Sequence, residues 1–556
     1  MESQIKTCQN CKCDFTIEPD DFSFYEKMNI CVPNFCPTCR SQLRLSFRNG
    51  RVFYKRKCDK CKKDSISRYS PNKPFTIYCY DCWFSDDWDC EDYGVDYDRE
   101  KPFFEQFEEL LKKVPQVGLV YVRSPGSEYL NLTADSKNCY MIMESSNNEN
   151  SINSYWIQEC RDVVDTSFAS KCELTYESDD CYNSYKLLYS KGCHDCATSY
   201  FLTDCKGCID CIGCINLINK KNYIFNESYS KEDYEEIKKE LELDTYKGVV
   251  SLREKYQEFI LKYPRKFAEV LKVLNSTGNY MKNTKNCKNC FHCYDAEDNK
   301  YGFHIWRNAK DTMDCDTAGR NVSLIYNSIN AGIDDSNLIS TVVCWTCSFV
   351  EYSMYCFNSN NCFGCVGLRK KNYCILNKQY SKEDYEEITN KIKNELKEKG
   401  IYGEFFAKNL SSFGYNETEA FNLYAKTKEE ALEEGFSWED TERGTYNRET
   451  IKIDDMPEII KEIDFDVKDE IFVCESCSKN YKIIENEYLF YKKLDVPLPR
   501  LCPDCRHNRR IKSRGPNKLW RRACMHEGCT NTFETSYAPD RPEIIYCEKC
   551  YQNEVY

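Results

Sequence analysis

Apolar residues follow a helical period in only a few segments of this 556-residue chain. KPFFEQFEELLKKV spaces Phe and Leu three and four positions apart, which predicts an amphipathic helix around Phe103 to Val114. KEDYEEIKKELELD predicts further helix that continues to about FAEVLKVL, with a break near KYPRK. YSKEDYEEI occurs at Tyr229 and again at Tyr380, and Ser230 and Ser381 are the expected N-caps of the helices that it opens.

Two other long segments have no helical period and are rich in Tyr, Ser, Asn, Asp and Val. In the first, cysteines recur every 21 residues in two interleaved ladders: Cys139, Cys160 and Cys181, and Cys172, Cys193 and Cys214. A fixed period indicates a repeat fold, and this composition favours short strands over helices. We therefore predict a β-solenoid with a coil of about 21 residues. CFGCVGLRKKNYCILNKQYSKEDYEEI repeats CIGCINLINKKNYIFNESYSKEDYEEI, so the array is duplicated.

Cysteine content changes this picture, because the chain has 39 cysteines and only five histidines. No apolar run is long enough to span a bilayer, and MESQIKTCQNC lacks the apolar segment of a signal peptide. We therefore expect a cytoplasmic protein with no membrane partner. In a reducing compartment, paired CxxC units indicate metal binding more often than disulfides.

The terminal cysteines form four sets, each made of two close pairs separated by a loop. This spacing suits tetrahedral zinc, since each pair supplies two thiolates, and it predicts about four zinc ions per chain. The predicted ligands are Cys8, Cys11, Cys36 and Cys39; Cys58, Cys61, Cys79 and Cys82; Cys474, Cys477, Cys502 and Cys505; and Cys524, Cys529, Cys547 and Cys550.

A shift of 466 residues carries the first set onto the third, so the chain has related heads at both ends. CQNCKCDFTIEPDDFSFYEKMNICVPNFCPTCR and CESCSKNYKIIENEYLFYKKLDVPLPRLCPDCR share CxxC, Phe-Tyr with a nearby Lys, Pro, and CxxCR. These segments resemble the probable zinc-ribbon family. The chain as a whole resembles large uncharacterised cysteine-rich zinc-ribbon proteins of uncultivated small-genome bacteria. The resemblance implies zinc binding and supplies no activity.

The predicted fold class is multidomain α+β, with paired zinc-ribbon or treble-clef fingers at both termini flanking two cysteine-rich β-solenoid-like arrays with helical linkers. The predicted divisions are a head at 1–100, a helical linker at 101–134, the first array at 135–227, a helical segment at 228–282, the second array at 283–380, a helical and irregular linker at 381–469, and the duplicate head at 470–556.

A basic stripe follows the second CxxC of each head, although the whole chain has a net charge of −13. If that pair opens a helix, the arginines lie on one face, where guanidinium groups can contact successive phosphates. The candidate nucleic-acid-binding residues, for DNA or RNA, are Arg40, Arg44, Arg48, Arg51, Arg506, Arg509, Arg510 and Arg514. Pairing with the protein's own acids, a protein partner and plain solvation are the alternatives.

Array cysteines at three-residue spacing suggest extra metal, either zinc or an iron–sulfur cluster. The candidates are Cys205, Cys208, Cys211, Cys214, Cys287, Cys290 and Cys293. Structural thiols, packed as small apolar groups, are the alternative. His194 and His292 lie beside cysteines, but ordinary surface histidines are the favoured interpretation.

We find none of the motifs GxGxxG after a strand, GxxxxGK[ST], HExxH or GxSxG, so the sequence supports no catalytic residues. The leading hypothesis is a zinc-binding protein of otherwise unknown function, whose heads bind nucleic acid while the arrays hold them apart. A structural or assembly scaffold with zinc-stapled ends, working by protein interaction or self-assembly, is the second. An iron–sulfur or redox enzyme is the third.

Overall fold

Two β-solenoids form the centre of the molecule, which we describe from a computed structural model covering residues 2–555. The two arrays lie side by side in opposite directions. Trp156 of the first array stacks on His304 of the second, with ring centroids 5.3 Å apart, and Phe168 stacks on His292 at 4.5 Å. Residue numbers therefore rise along one solenoid as they fall along the other. The mixed α+β, multidomain fold class predicted from sequence is confirmed.

Each coil contains twelve residues, which is shorter than predicted. Parallel bridges join Glu128 to Tyr140, Tyr140 to Ile152 and Ile152 to Val164. The second array opens with an offset of eleven residues, from Val270 to Met281, and then keeps twelve except between Ala296 and Val342, where the coils have thirteen residues. The expectation of a coil of about 21 residues is wrong, because 21 is seven units of a three-residue repeat, and four such units complete one turn.

The three positions of each unit differ in conformation. The first position forms the bridge to the next coil, and the second has positive φ, as at Asn138, Met141 and Glu144, with φ of 54°, 52° and 54°. Asn and Asp occur often at this second position, in keeping with their tolerance of the left-handed region. The third position points into the solenoid, where Cys139 and Ile142 are buried.

Small polar side chains bond the inward-facing backbone of the coils. Ser178 Oγ accepts from the N–H of Ser190 in the next coil at 3.2 Å and donates to the carbonyl of Tyr176 at 3.0 Å. The buried backbone groups thereby find partners inside the coil. Serine, threonine and cysteine recur at the inward position for this reason.

Both arrays begin earlier than the predicted divisions at 135 and 283. Tyr121 already bridges Thr133, and FAEVLKVL, predicted as helix, contributes the strand Val270–Leu274 to the second array. The apolar residues in that strand are all valine or leucine, and so short an apolar run does not distinguish a strand from a helix.

The strands of the first array are Tyr121–Val122, Thr133–Ala134, Tyr155–Gln158, Ser167–Ser170, Tyr185–Leu188, Ala197–Tyr200, Ile209–Ile212, Lys221–Ile224 and Glu227–Ser228. Those of the second are Val270–Leu274, Gly278–Lys285, Cys290–Lys300, Phe303–Met313, Asp316–Arg320, Ser323–Tyr326, Ile329–Ile333, Ser336–Ile339, Ser348–Glu351, Asn360–Phe363, Asn372–Ile375 and Lys378–Gln379. The last strand of each array folds back antiparallel to its neighbour.

Short hairpins build the heads. Their strands are Gln4–Thr7, Asp14–Ile17, Tyr54–Lys57, Asp64–Ser67 and Ile77–Tyr78 at the N-terminal end, and Phe472–Val473, Asn480–Tyr481, Trp520–Ala523, Thr532–Thr535 and Ile545–Tyr546 at the C-terminal end. Gln116–Val117 pairs with Ile77–Tyr78, and Arg265–Lys266 pairs with Ile545–Tyr546. Each head therefore reaches the start of one array through a parallel strand pair.

The helices are Pro19–Met28, Pro37–Leu45, Tyr80–Phe84, Phe103–Lys113, Lys231–Glu240, Tyr246–Ile260, Lys382–Glu398, Glu419–Leu423, Lys428–Glu433, Glu485–Leu494, Pro503–Arg514 and Glu548–Val555. Short 3-10 turns lie at Cys90–Tyr93, Lys408–Leu410, Tyr415–Glu417, Ile453–Asp455 and Ile460–Glu462. Ser230 and Ser381 are N-caps as predicted, and each hydroxyl accepts from the third backbone N–H beyond it at 3.0 Å. Within residues 2–555, no helix combines the length and apolar character needed to cross a membrane.

Each head packs mainly on the array that is farther from it in sequence. One apolar core joins the N-terminal head, including Tyr25 and Leu43, to residues of the second array such as Tyr326. Another joins the C-terminal head, including Tyr491, to Tyr176 of the first array. Because each head also pairs with the start of the other array, the two heads together hold the solenoids against each other.

Candidate metal centres and the head–array interface

The four terminal cysteine sets each come together in space. In every set, the four Sγ atoms all lie within 4.8 Å of one another. The Cys11–Cys36 and Cys477–Cys502 sulfur pairs are 3.7 Å apart. An ion with tetrahedral thiolate ligands at about 2.3 Å separates its sulfurs by about 3.8 Å. The geometry of these clusters therefore fits a tetrahedral metal ion.

Local structure positions both halves of each cluster. The first pair sits in a tight turn, where Lys12, Lys62 and Ser478 have φ of 62°, 63° and 58° directly after the second cysteine. The second pair begins a helix: Cys36 and Cys502 are N-caps, each followed by a proline at the first helical position. Turn and helix start both leave backbone N–H groups free to face sulfur.

Those N–H groups bond the sulfurs in the same way in each cluster. Cys36 N–H donates to Cys8 Sγ, Cys79 to Cys58, Cys502 to Cys474 and Cys547 to Cys524, always at 3.2 Å. Such bonds favour the thiolate form that binds metal. At Cys58, burial raises the pKa, but bonds from the backbone N–H groups of Cys79, Cys61 and Lys60 outweigh it and lower the pKa to about 6.

The array cysteines proposed as extra metal ligands behave differently. Cys205, Cys208, Cys211 and Cys214 are fully buried, and they occupy all four inward positions of one coil. Across residues 2–555, no cysteine group outside the terminal sets, and so none containing Cys287, Cys290 and Cys293, brings three or more sulfurs within 4.8 Å of one another.

Six of these seven thiols instead bond backbone carbonyls, and Cys293 Sγ contacts Cys287 Sγ at 3.9 Å. Cys205 Sγ donates to Thr203 O at 3.3 Å and to Cys214 O at 3.7 Å, and Cys290 repeats the pattern at 3.5 and 3.4 Å. These are the partners that serine takes elsewhere in the solenoid. The structural-thiol alternative is the arrangement found here.

The basic stripe of the N-terminal head faces the protein. Arg40 Nε lies 2.6 Å from Asp314 and Arg44 Nε lies 2.7 Å from Asp316, with all four side chains at most 4% exposed. Arg48 pairs with buried Glu144 of the first array. Arg44 is therefore covered by the second array, and the three arginines connect the head to both solenoids.

The C-terminal stripe makes the equivalent contacts with the first array. Arg506 and Arg510 share the carboxylate of Asp165, and Arg514 lies 2.7 Å from Asp179. Arg506 also contacts Glu487 within its own head at 2.9 Å. All these side chains are nearly or completely buried.

The two remaining arginines of the stripes differ in exposure. Arg51 is largely buried and lies 3.7 Å from Asp504, whereas Arg509 keeps 41% of its side chain exposed and pairs with Glu177 at 2.6 Å. Pairing with the protein's own acids, left open by the sequence, is therefore the observed arrangement of the stripes. Seven of the eight side chains are turned away from solvent.

Three of the five histidines meet where both arrays and the C-terminal head join, which sequence reasoning missed. His292, His304 and His507 are at most 4% exposed, so the expectation that His292 is a surface residue is wrong. The His292 and His304 rings are 5.3 Å apart, and Tyr155 lies against both His304 and His507. Burial and neighbouring arginines hold the pKa of each well below its usual range. Nothing in the local sequence marks this cluster.

Comparison of the chain with protein-family models and with curated proteins gives no match. The four clusters are consistent with zinc-ribbon-like sites, and they are groups that can bind metal ions.

Proposed function

We propose that this protein is a zinc-stapled structural scaffold, in which duplicated heads clamp two β-solenoids into one rigid body. The observation that supports this most directly is the inward direction of the arginine stripes. Arg44 and Arg506 have no exposed side-chain surface, and each pairs with an array carboxylate. A buried charge that loses its partner costs free energy. Movement of the head away from the array is therefore unfavourable.

Zinc supports the clamp because the helix that carries each stripe starts at a cluster cysteine. Cys36 and Cys502 cap these helices. Arg40, Arg44 and the four arginines of the C-terminal stripe lie on them, whereas Arg48 and Arg51 follow the end of the first helix at Leu45. A metal ion would hold the start of this helix against the turn that carries the first cysteine pair. It would thereby fix the direction in which the arginines of the helix point. Small zinc domains commonly unfold when the metal is removed.

The test is metal removal from the intact chain. We expect about four zinc ions per chain by elemental analysis, which is one per cluster. Chelation should expand the molecule in small-angle X-ray scattering and expose the heads to protease while the solenoids stay resistant. Unchanged scattering and unchanged proteolysis after complete zinc loss would contradict the clamp.

Arginine variants test the interface separately. Arg44→Gln should loosen the N-terminal head with all zinc retained, since Arg44 is buried against Asp316. Arg161→Gln is the matched control, because its side chain is 55% exposed and its pair with Glu173 lies on the surface. Equal protease sensitivity in both variants would argue against a clamping role for the stripe.

Nucleic-acid binding through residues outside the arginine stripes is the second candidate function. The hairpin of the second finger exposes Lys55, Lys57, Lys62 and Lys63, and the fourth finger exposes Arg521. Phosphate contacts by such side chains give binding that weakens steeply with salt. Fluorescence anisotropy with single- and double-stranded DNA and RNA measures it. Replacing the four lysines by Gln should abolish binding, and Arg44→Gln should not.

A further inference from the structure

A large cavity lies where the first array, the helix Tyr246–Ile260, the start of the second array and the C-terminal head meet. Its volume is about 510 Å³, and no cysteine of the metal clusters lines it. Sites for small organic ligands commonly have volumes of roughly 300 to 1,000 Å³. The cavity is thus large enough for a metabolite and is separate from the metal centres.

Charged side chains of both signs make up much of the cavity wall. Six arginines and one lysine line it, against six carboxylates. Arg253 and Arg509 both pair with the single carboxylate of Glu177, at 2.8 and 2.6 Å. One positive charge on this wall is therefore left without an acid, and the 41% exposure of the Arg509 side chain gives it access to solvent.

Some carboxylates of the lining carry less negative charge than their number suggests. Asp180, Asp204 and Glu269 line the cavity close enough to repel one another. Burial, with that repulsion, raises the pKa of Glu269 to about 8, and burial raises the pKa of Asp180 to about 6. Both shifts reduce the negative charge that these carboxylates contribute to the lining at neutral pH.

Two buried polar atoms in the lining have no hydrogen-bond partner among the described residues. They are Arg514 Nε and Asp179 Oδ2, on side chains only 5% exposed. The Arg514 guanidinium is held between Phe168 and Tyr280, 3.8 and 4.1 Å from the ring centroids. Both atoms are closed off from solvent, so they belong to the packed wall of the cavity, and the more exposed guanidinium of Arg509 is the group that a ligand can reach.

We propose that this cavity binds a small sugar phosphate, with its phosphate at Arg253 and Arg509. Paired guanidiniums form a fork that matches phosphate oxygens. Tyr189 and Tyr256 also line the cavity and can pack against a sugar ring.

Isothermal titration of the zinc-loaded chain tests this assignment, with ribose 5-phosphate, ribose and citrate as probes at constant ionic strength. We expect binding of ribose 5-phosphate and none of ribose. Arg509→Gln should weaken binding at least tenfold, about 1.4 kcal/mol, and its partly exposed position lets the variant fold. Arg161→Gln, at the exposed pair with Glu173, should bind as wild type does.

Three results would overturn the proposal: no heat with ribose 5-phosphate at millimolar concentration, unchanged affinity in Arg509→Gln, or equal affinity for citrate. Arg253→Gln provides a second variant on the same carboxylate, and its thermal melting with and without ribose 5-phosphate shows whether it folds. Zinc content and head docking are measured independently of ligand binding. A failure of this ligand site is therefore distinguishable from a failure of the proposed scaffold function.

Discussion

Asp165 offers the sharpest test of how the C-terminal head is held. Its side chain is completely buried and faces both Arg506 and Arg510, with Arg510 Nη1 3.2 Å away. Asp165→Asn keeps the shape but removes the charge. Arg506 retains Glu487, whereas Arg510 keeps only Ser167 Oγ and the carbonyl of Asn153.

The expected cost is large because an uncompensated guanidinium remains in the interior. Breaking a buried pair from one side typically costs about 3 to 5 kcal/mol. Burial and the nearby Arg51 and Arg506 already lower the pKa of Arg510. The charged form of Arg510 therefore depends strongly on the negative charge of Asp165. At about 1.4 kcal/mol per factor of ten, local opening should become at least roughly a hundredfold more frequent.

Asp162→Asn is the matched control three residues earlier in the same coil. Asp162 pairs with Lys493 at 2.9 Å, but the lysine side chain is 53% exposed. Exposed pairs contribute roughly 0 to 1 kcal/mol. Both substitutions convert Asp to Asn in one array, so they differ chiefly in burial.

Hydrogen exchange in the helix Pro503–Arg514 measures the opening free energy directly. We expect much faster exchange in Asp165→Asn and nearly unchanged exchange in Asp162→Asn. Adding Arg510→Met to Asp165→Asn should recover part of the loss, since it removes the unpaired charge. Similar exchange in both single variants, or no recovery in the double variant, would refute the reasoning.

Three further outcomes are expected. Cys502→Ser should lower the metal content by about one ion per chain, because it removes one ligand of a four-cysteine cluster, and elemental analysis would contradict this if the content stayed the same. Cys205→Ser should retain all metal and shift the free energy of unfolding by less than about 1.5 kcal/mol, since serine makes the same carbonyl bonds at Ser178. A large decrease in the free energy of unfolding, measured by chemical denaturation, would show that serine and cysteine are not equivalent at this position. His304→Phe should flatten the decline of stability with acidification. The folded-state pKa is depressed, so the stability of neutral His304 is fully present above about pH 6.5 and is lost as pH falls below it, by roughly 1.4 kcal/mol per pH unit. Thermal melting from pH 7 to pH 5 would show equal slopes in both proteins if His304 were not responsible.

Sequence alone determined the features whose cause is local. A four-cysteine cluster that can bind a metal ion needs two turns of defined spacing, so the members of all four clusters can be named from the positions of the cysteines along the chain. The N-caps at Ser230 and Ser381 follow from the same kind of local rule, and a shift of the chain against itself reveals the duplicated heads and arrays.

The solenoid was only partly accessible to that reasoning. Its existence followed from the cysteine period, but the coil length did not, because cysteine occupies only some inward positions. Spacings of 21 and 12 are both multiples of three, and only bridges between coils, such as that from Tyr140 to Ile152, show that four units close a turn.

Tertiary structure decided what the charged residues contact. A stripe such as Arg40, Arg44 and Arg48 has the same pattern whether it faces phosphate or carboxylate, since both are anionic oxygens that bond guanidinium. The partners Asp314 and Asp316 lie some 270 residues away in sequence. Their approach, like the meeting of His292, His304 and His507, depends on how whole domains pack, and no local spacing records it.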